Sequence, residues 1–256
     1  MKRWWVPAVI VPLVLILALG AVFCARSARA KAAVVVCGEY ELTNTELAYY
    51  YWSEYFYYAE AYGDYLEGMV DFSKPLSDQP YEGGGTWEDY LLEETLTVVR
   101  DTLAMVRQAE NEGHAMSADY LGTYQQVLVN FSAAAQEGGY KDLESYLRAS
   151  YGKHADRESF ERYLHRSHLA ASYADALFAR CLPEDEACRD YFFANQAYYE
   201  EYYDIDPADE STWLETVRND LQTEEYQNEF RKLSSGMEVL VDYEAIRLEE
   251  PEGLYR

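Results

Sequence analysis

The sequence predicts a mainly α-helical protein with a small antiparallel β-sheet and an apolar helix ahead of it at the N-terminus. Three observations carry this expectation. Apolar residues recur at 3.6-residue spacing in one segment after another from Leu47 to Leu233. A short β-branched run, Val34–Val36, precedes a turn glycine near the start, and EVLVDYEAI over Glu238–Ile246 reads as a strand near the end. Residues Val6–Phe23 form an uncharged run of 18 residues behind the basic start MKRWW.

That leader just reaches the roughly 17–25 residues needed to span a bilayer and exceeds the roughly 7–15 of a signal-peptide core. Ala28-Arg29-Ala30 offers a cleavage site some residues later. Residues 1–30 therefore read as an uncleaved membrane anchor, with a cleaved signal peptide as the alternative. Both place the rest of the chain outside the cytoplasm. Phe23 precedes Cys24, which disfavours lipidation.

Val34–Leu42 reads as a hairpin with Cys37-Gly38 in its turn, because glycine adopts positive φ without strain. Thr43 and Glu46 then form a T-x-x-E capping box. Leu47, Tyr51, Tyr55, Tyr58, Tyr62 and Tyr65 follow on one helical face. Tyr50, Trp52, Phe56 and Tyr57 fall off that stripe and are the candidate substrate-binding residues, an aromatic wall for apolar polypeptide. The same pattern also fits a thick core helix, since aromatic stripes are usually buried.

Glu67–Gly85, with Gly68, Pro75, Pro80 and Gly83–Gly85, is a long connector. Thr86 with Asp89 caps the next helix, whose face is Leu92, Leu96, Val99, Leu103 and Val106 and whose end is Gly113. Helices follow from Ser117 to Gly138, over Tyr140–Tyr151, and over Asp156–Cys181. Another runs from Pro183 to about Tyr203, and a last one is capped by Thr212 and ended by Gly236. Glu238–Ile246 reads as a strand. A lone strand cannot satisfy its backbone groups, so the N-terminal hairpin is its natural partner.

Composition narrows the function. There are 46 acidic and 21 basic residues, for a net charge of −25. Such a surface repels phosphate backbones, which argues against nucleic-acid binding. Cys181 and Cys188 flank LPEDEA between two helices, and their spacing leaves a loop-closing disulfide open. His165 and His168 stand at i, i+3 without an evident third ligand, so no metal is expected there. His114 and His154 lie at helix ends. Gly83–Gly85 lacks the lysine of a phosphate-binding loop, and the acidic run around Asp204, Asp206 and Asp209 lacks the EF-hand register. No catalytic set and no cofactor are expected.

The stretch VVVCGEYELTNTELAYY from Val34 resembles the opening of the SurA/PrsA-type foldases, extracytoplasmic chaperones often fused to parvulin peptidyl-prolyl isomerase domains. TWEDYLL from Thr86, AENEGHAMS from Ala109 and YLRASYGKHADRESFERYL from Tyr146 are similar, in the same order, to later parts of that module. The resemblance spans roughly Val34–Tyr203. It implies a SurA-N-like helical chaperone domain over 34–203, to which a C-terminal helix and strand over 212–248 return. In parvulin-bearing members the isomerase follows at this point. Here residues 204–211 are all that separate the helices, and no histidine follows Tyr203. The resemblance therefore implies a membrane-tethered holdase for unfolded or newly translocated polypeptides, without catalysis. An adaptor docking one envelope partner and a residual peptidyl-prolyl isomerase are the rival readings.

Overall fold

In the computed structural model, residues Ala32–Tyr255 are described; the leader expected over 1–30 lies outside them. Ala33–Cys37 (β1) and Tyr40–Thr43 (β2) form the hairpin. Cys37 pairs with Tyr40, so Gly38-Glu39 is the two-residue loop and Cys37 is a buried strand residue, not a turn residue. Gly38 has φ 58° and Glu39 a negative φ, the pattern of a type II′ turn with glycine first.

Val239–Val241 (β3) lies antiparallel on the other edge of β1, giving the order β2-β1-β3. The first and last strands of the described residues thus share one sheet. The strand is shorter than the expected 238–246. Asp242 N–H still donates to the Val34 carbonyl, but the Asp242 carboxylate and carbonyl then accept from Ala245 N–H, which turns the chain out of the sheet.

Eight α-helices are present among the described residues. Asn44–Tyr62 (α1) starts with the expected capping box, in which Thr43 Oγ1 accepts from Glu46 N–H while Glu46 accepts from Thr43 N–H. The Glu46 carboxylate is buried and also receives Arg162 Nε at 2.9 Å. Trp87–Glu112 (α2) carries the Thr86–Asp89 box. It ends in a Schellman motif, with His114 N–H on the Ala109 carbonyl and Gly113 at φ 66°. Ala118–Glu137 (α3), Leu143–Tyr151 (α4) and Arg157–Arg180 (α5) follow.

The expected single helix to Tyr203 is two, Asp185–Ala194 (α6) and Gln196–Tyr203 (α7). Asn195 interrupts it by donating both its backbone N–H and its side-chain amide to the Tyr191 carbonyl, a local bond that competes with helix propagation. Glu210–Ser235 (α8) is capped by Asp209, whose carboxylate accepts from Thr212 N–H; Thr212 lies within the first turn and is not the cap.

The chain divides into two units. The first holds the described residues through Leu96, Phe131–Tyr163 and the segment from Val239 onward; the second holds Thr97–Asn130 and Leu164–Glu238. The core of the first gathers Val35, Leu42, Leu47, Tyr49, Leu147 and Phe160, and that of the second gathers Val99, Leu103, Tyr173, Phe192, Trp213 and Val217. No helix of the described residues is long and apolar enough to cross a membrane.

Candidate functional site

The four candidate wall residues separate into two pairs, and both pairs belong to the first unit. Tyr50 and Trp52 are each 3 % exposed, whereas Phe56 is 42 % and Tyr57 53 % exposed. The first pair is therefore core and cannot line an open wall. The reason is that the early turns of α1 are enclosed on several sides, not along one stripe. Tyr49 and Tyr50 meet Tyr163 of α5 at 5.7 and 4.8 Å between ring centroids. On the other flank Tyr51, Trp52 and Tyr55 pack with Leu76, Trp87 and Leu91.

Enclosure requires that the polar tips find partners, because a buried unpaired donor costs about 1–3 kcal/mol. Four of them do so on backbone carbonyls. Tyr49 hydroxyl donates to Asp156, Tyr55 hydroxyl to Phe72, Trp87 Nε1 to Met69 at 3.0 Å, and Trp52 Nε1 to Glu249 at 3.0 Å. Burial pushes the Tyr49, Tyr51 and Tyr55 phenols well above their ordinary range, so these rings stay neutral donors.

The carbonyl reached by Trp52 belongs to the C-terminal tail. Beyond the Asp242 turn, residues 246–251 have neither helix nor strand. The body nevertheless holds their main chain at intervals. Arg247 N–H donates to Asn44 Oδ1 at 2.6 Å while Asn44 Nδ2 donates to the Ala245 carbonyl at 3.0 Å. Glu252 N–H donates to the Ala149 carbonyl at 2.7 Å. The Glu249 carboxylate accepts from Lys153 N–H and forms an ion pair with Lys153 Nζ. Pro251 is buried, and Leu248 and Leu254 lie half-buried on the ring cluster.

A cavity of about 1010 Å³ remains along the tail, between it and the start of α1 and the α4–α5 connection. Asn44, Thr45, Ala48, His154, Arg247 and Leu248 are among its walls. Burial, with Lys153 adjacent, pulls the His154 imidazole below its ordinary value, so it is neutral near pH 7.

Past Tyr55 the helix emerges. Phe56, Tyr57, Tyr62, Tyr65 and Met69 are all exposed, Tyr65 by 79 %. Tyr57 and Tyr62 meet at 5.7 Å, and Tyr62 also meets half-buried Tyr58 at 5.5 Å. Phe56 packs on buried Tyr55 at 5.5 Å, and Tyr65 and Met69 follow beyond the helix end at Tyr62. Tyr58 in turn meets Tyr90, which stacks on Tyr81 at 4.5 Å. At the root of this band the Glu54 carboxyl is raised by burial and by the Glu94 charge. A band of ring faces with hydroxyl tips buries apolar groups without directional demands and hydrogen-bonds whatever main chain crosses it.

The other sequence candidates lie elsewhere. His165 and His168 edge against Tyr124, and His168 Nδ1 is 2.8 Å from the Leu164 carbonyl. No group of three metal-ligating side chains occurs among the described residues. Cys181 and Cys188 stand as free thiols, Cys188 buried in the second unit with Phe192 and Trp213. The tail gives only a weak signal in the sequence, Leu248, Pro251 and Leu254 at three-residue intervals. Compared with protein-family models, with curated proteins and with solved structures, the chain finds no match in any of the three.

Proposed function

We propose that this chain is a membrane-tethered, extracytoplasmic holdase of the SurA/PrsA type without an isomerase domain, binding unfolded or newly translocated polypeptides and catalysing nothing. The observation that carries the reading is the run of exposed large side chains Phe56, Tyr57, Tyr62, Tyr65 and Met69, in which Tyr57 and Tyr62 touch. Large apolar side chains exposed close together mark interaction surfaces more often than isolated ones do. The ring faces suit apolar side chains of many shapes, and the acidic exterior keeps a loaded complex soluble. The apolar leader Val6–Phe23 supports the tether. Only the short segment between α7 and α8 stands where an isomerase would follow.

The test is aggregation suppression of two unrelated clients, reduced insulin and heat-unfolded citrate synthase, by the full chain and by a Tyr57→Ser/Tyr62→Ser/Tyr65→Ser variant. The full chain should hold both, and the variant should lose most of that capacity while melting within about 0.5 kcal/mol of the parent, as exposed substitutions do. Failure on both clients together with capture of one dedicated partner would establish the adaptor instead. Acceleration of a proline-peptide isomerisation above background would establish a residual isomerase.

A further inference from the structure

We infer that the groove floored by Tyr51, Trp52 and Tyr55 is itself a polypeptide-binding site, and that residues Arg247–Tyr255 occupy it as a built-in surrogate ligand which clients displace. This rests on the holdase reading and extends its site from the open band to the covered floor.

The argument starts from how the tail is held. Three of its main-chain groups, Arg247 N–H, the Glu249 carbonyl and Glu252 N–H, bond to groups of the body rather than to a neighbouring strand. Recognition through the main chain is indifferent to side-chain identity, as in other modes of peptide capture. The side chains that settle on the ring cluster are Leu248 and Leu254, and the Tyr255 hydroxyl hydrogen-bonds with that of Tyr55. Any irregular segment with aliphatic residues and a hydroxyl or other polar tip at similar intervals presents the same chemistry. The tail is also imperfectly seated. It leaves a cavity of about 1010 Å³ beside it, and only Pro251 among its residues is fully buried. A segment with few buried contacts and no ladder hydrogen bonds opens at low free-energy cost. It keeps its place because the tether holds it at an effective concentration of order millimolar.

Arg247 to Tyr255 lies one turn past β3, so release of the tail leaves the sheet pairing of Val239–Val241 intact. Displacement therefore uncovers aromatic surface next to the open band without unfolding the unit.

The experiment uses the full chain throughout. Leu248→Asp with Leu254→Asp weakens the tail's hold; both side chains are half-buried, and far-UV circular dichroism checks that the helices persist. A fluorescent synthetic peptide of residues 245–256 should bind this variant about tenfold or more tighter than it binds the parent, where the tethered tail competes. Equal binding to a folded variant and to the parent overturns the inference. A second measurement needs no variant. Hydrogen exchange of the parent, with and without reduced carboxymethylated lactalbumin, should show faster exchange over 247–255 when that client is present and no change in β1. Unchanged or slower exchange in the tail with client bound overturns the inference. If no client binds the parent but the peptide still prefers the variant, the groove stands as a peptide site and the holdase reading alone fails.

Discussion

Two ring clusters built from the same residue types are held by different means. In the first unit Tyr51, Trp52 and Tyr55 meet edge-on at 4.9 and 5.4 Å, and their polar tips reach carbonyls of irregular segments, Phe72 at 17 residues' distance and Glu249 at 197. In the second unit Phe192 lies flat on Trp213 at 4.1 Å, with α6 laid along α8. There Trp213 Nε1 reaches Pro207 six residues away, and Tyr199 hydroxyl reaches Asp220 21 residues away. The second cluster is a product of helix packing between near neighbours in sequence. The first depends on loops and a tail arriving from far away, which pay more loop-closure entropy for each contact. It is consequently the one to which the proposed displacement of the tail applies.

The largest effect that separates them is side-chain removal. Trp213→Ala and Trp52→Ala should each cost about 3–5 kcal/mol in denaturant unfolding. Trp52→Phe should cost only about 1 kcal/mol, the worth of one hydrogen bond, yet speed exchange of the tail amides. Trp213→Phe should have no counterpart effect on the tail. Equal tail protection in Trp52→Phe and the parent would break the contrast.

A middle-sized effect distinguishes the true cap of α8. Asp209→Ala should cost about 1 kcal/mol, whereas Thr212→Ala, which removes only a hydroxyl donor to the Asp209 carboxylate, should cost less than half as much. Reversed magnitudes in thermal melts would restore Thr212 as the cap.

The smallest effects are electrostatic and differ in sign between the units. Glu112 in the second unit accepts from Gln108, Arg180 and Tyr173, which hold its carboxyl down to about 2 from an ordinary 4.5. A lowered carboxyl stabilises the fold above its unfolded value, so this contribution should fade as pH falls from about 4.5 through about 2. Glu54 in the first unit is raised by burial and by Glu94, so its charge costs stability at neutral pH and the cost vanishes in acid. Glu54→Gln should therefore raise the melting temperature at pH 7 and leave it unchanged at pH 3. Glu112→Gln should lower it at pH 7. Melts showing the same sign for both would remove this distinction.

Much of the helical framework was legible because its signals are local. The Thr43–Glu46 and Thr86–Asp89 boxes and the stop at Gly113 are set by residues within one turn of each other. The pairing of the Val239 strand with the hairpin followed from a need, since an isolated strand leaves its amides unmet. The break at Asn195 is not legible because the i, i+7 spacing of Tyr191 and Tyr198 continues across it, while a side-chain bond to the Tyr191 carbonyl accompanies the change in backbone. The exposure of the four candidate residues was not legible: Phe56 and Tyr57 are exposed, whereas Tyr50 and Trp52, of the same residue classes and at neighbouring positions, are buried.

By itself, then, the sequence determined which segments are helices and where most of them start and stop, because capping and 3.6-residue spacing act over a few residues, and that the last strand joins the hairpin, because a lone strand leaves its amides unmet. Only the tertiary structure decided which aromatics of α1 face solvent and that a tail lies on the rest. An amphipathic ring such as tyrosine or tryptophan is stable on either side of that boundary, and what covers it comes from residues some two hundred positions away.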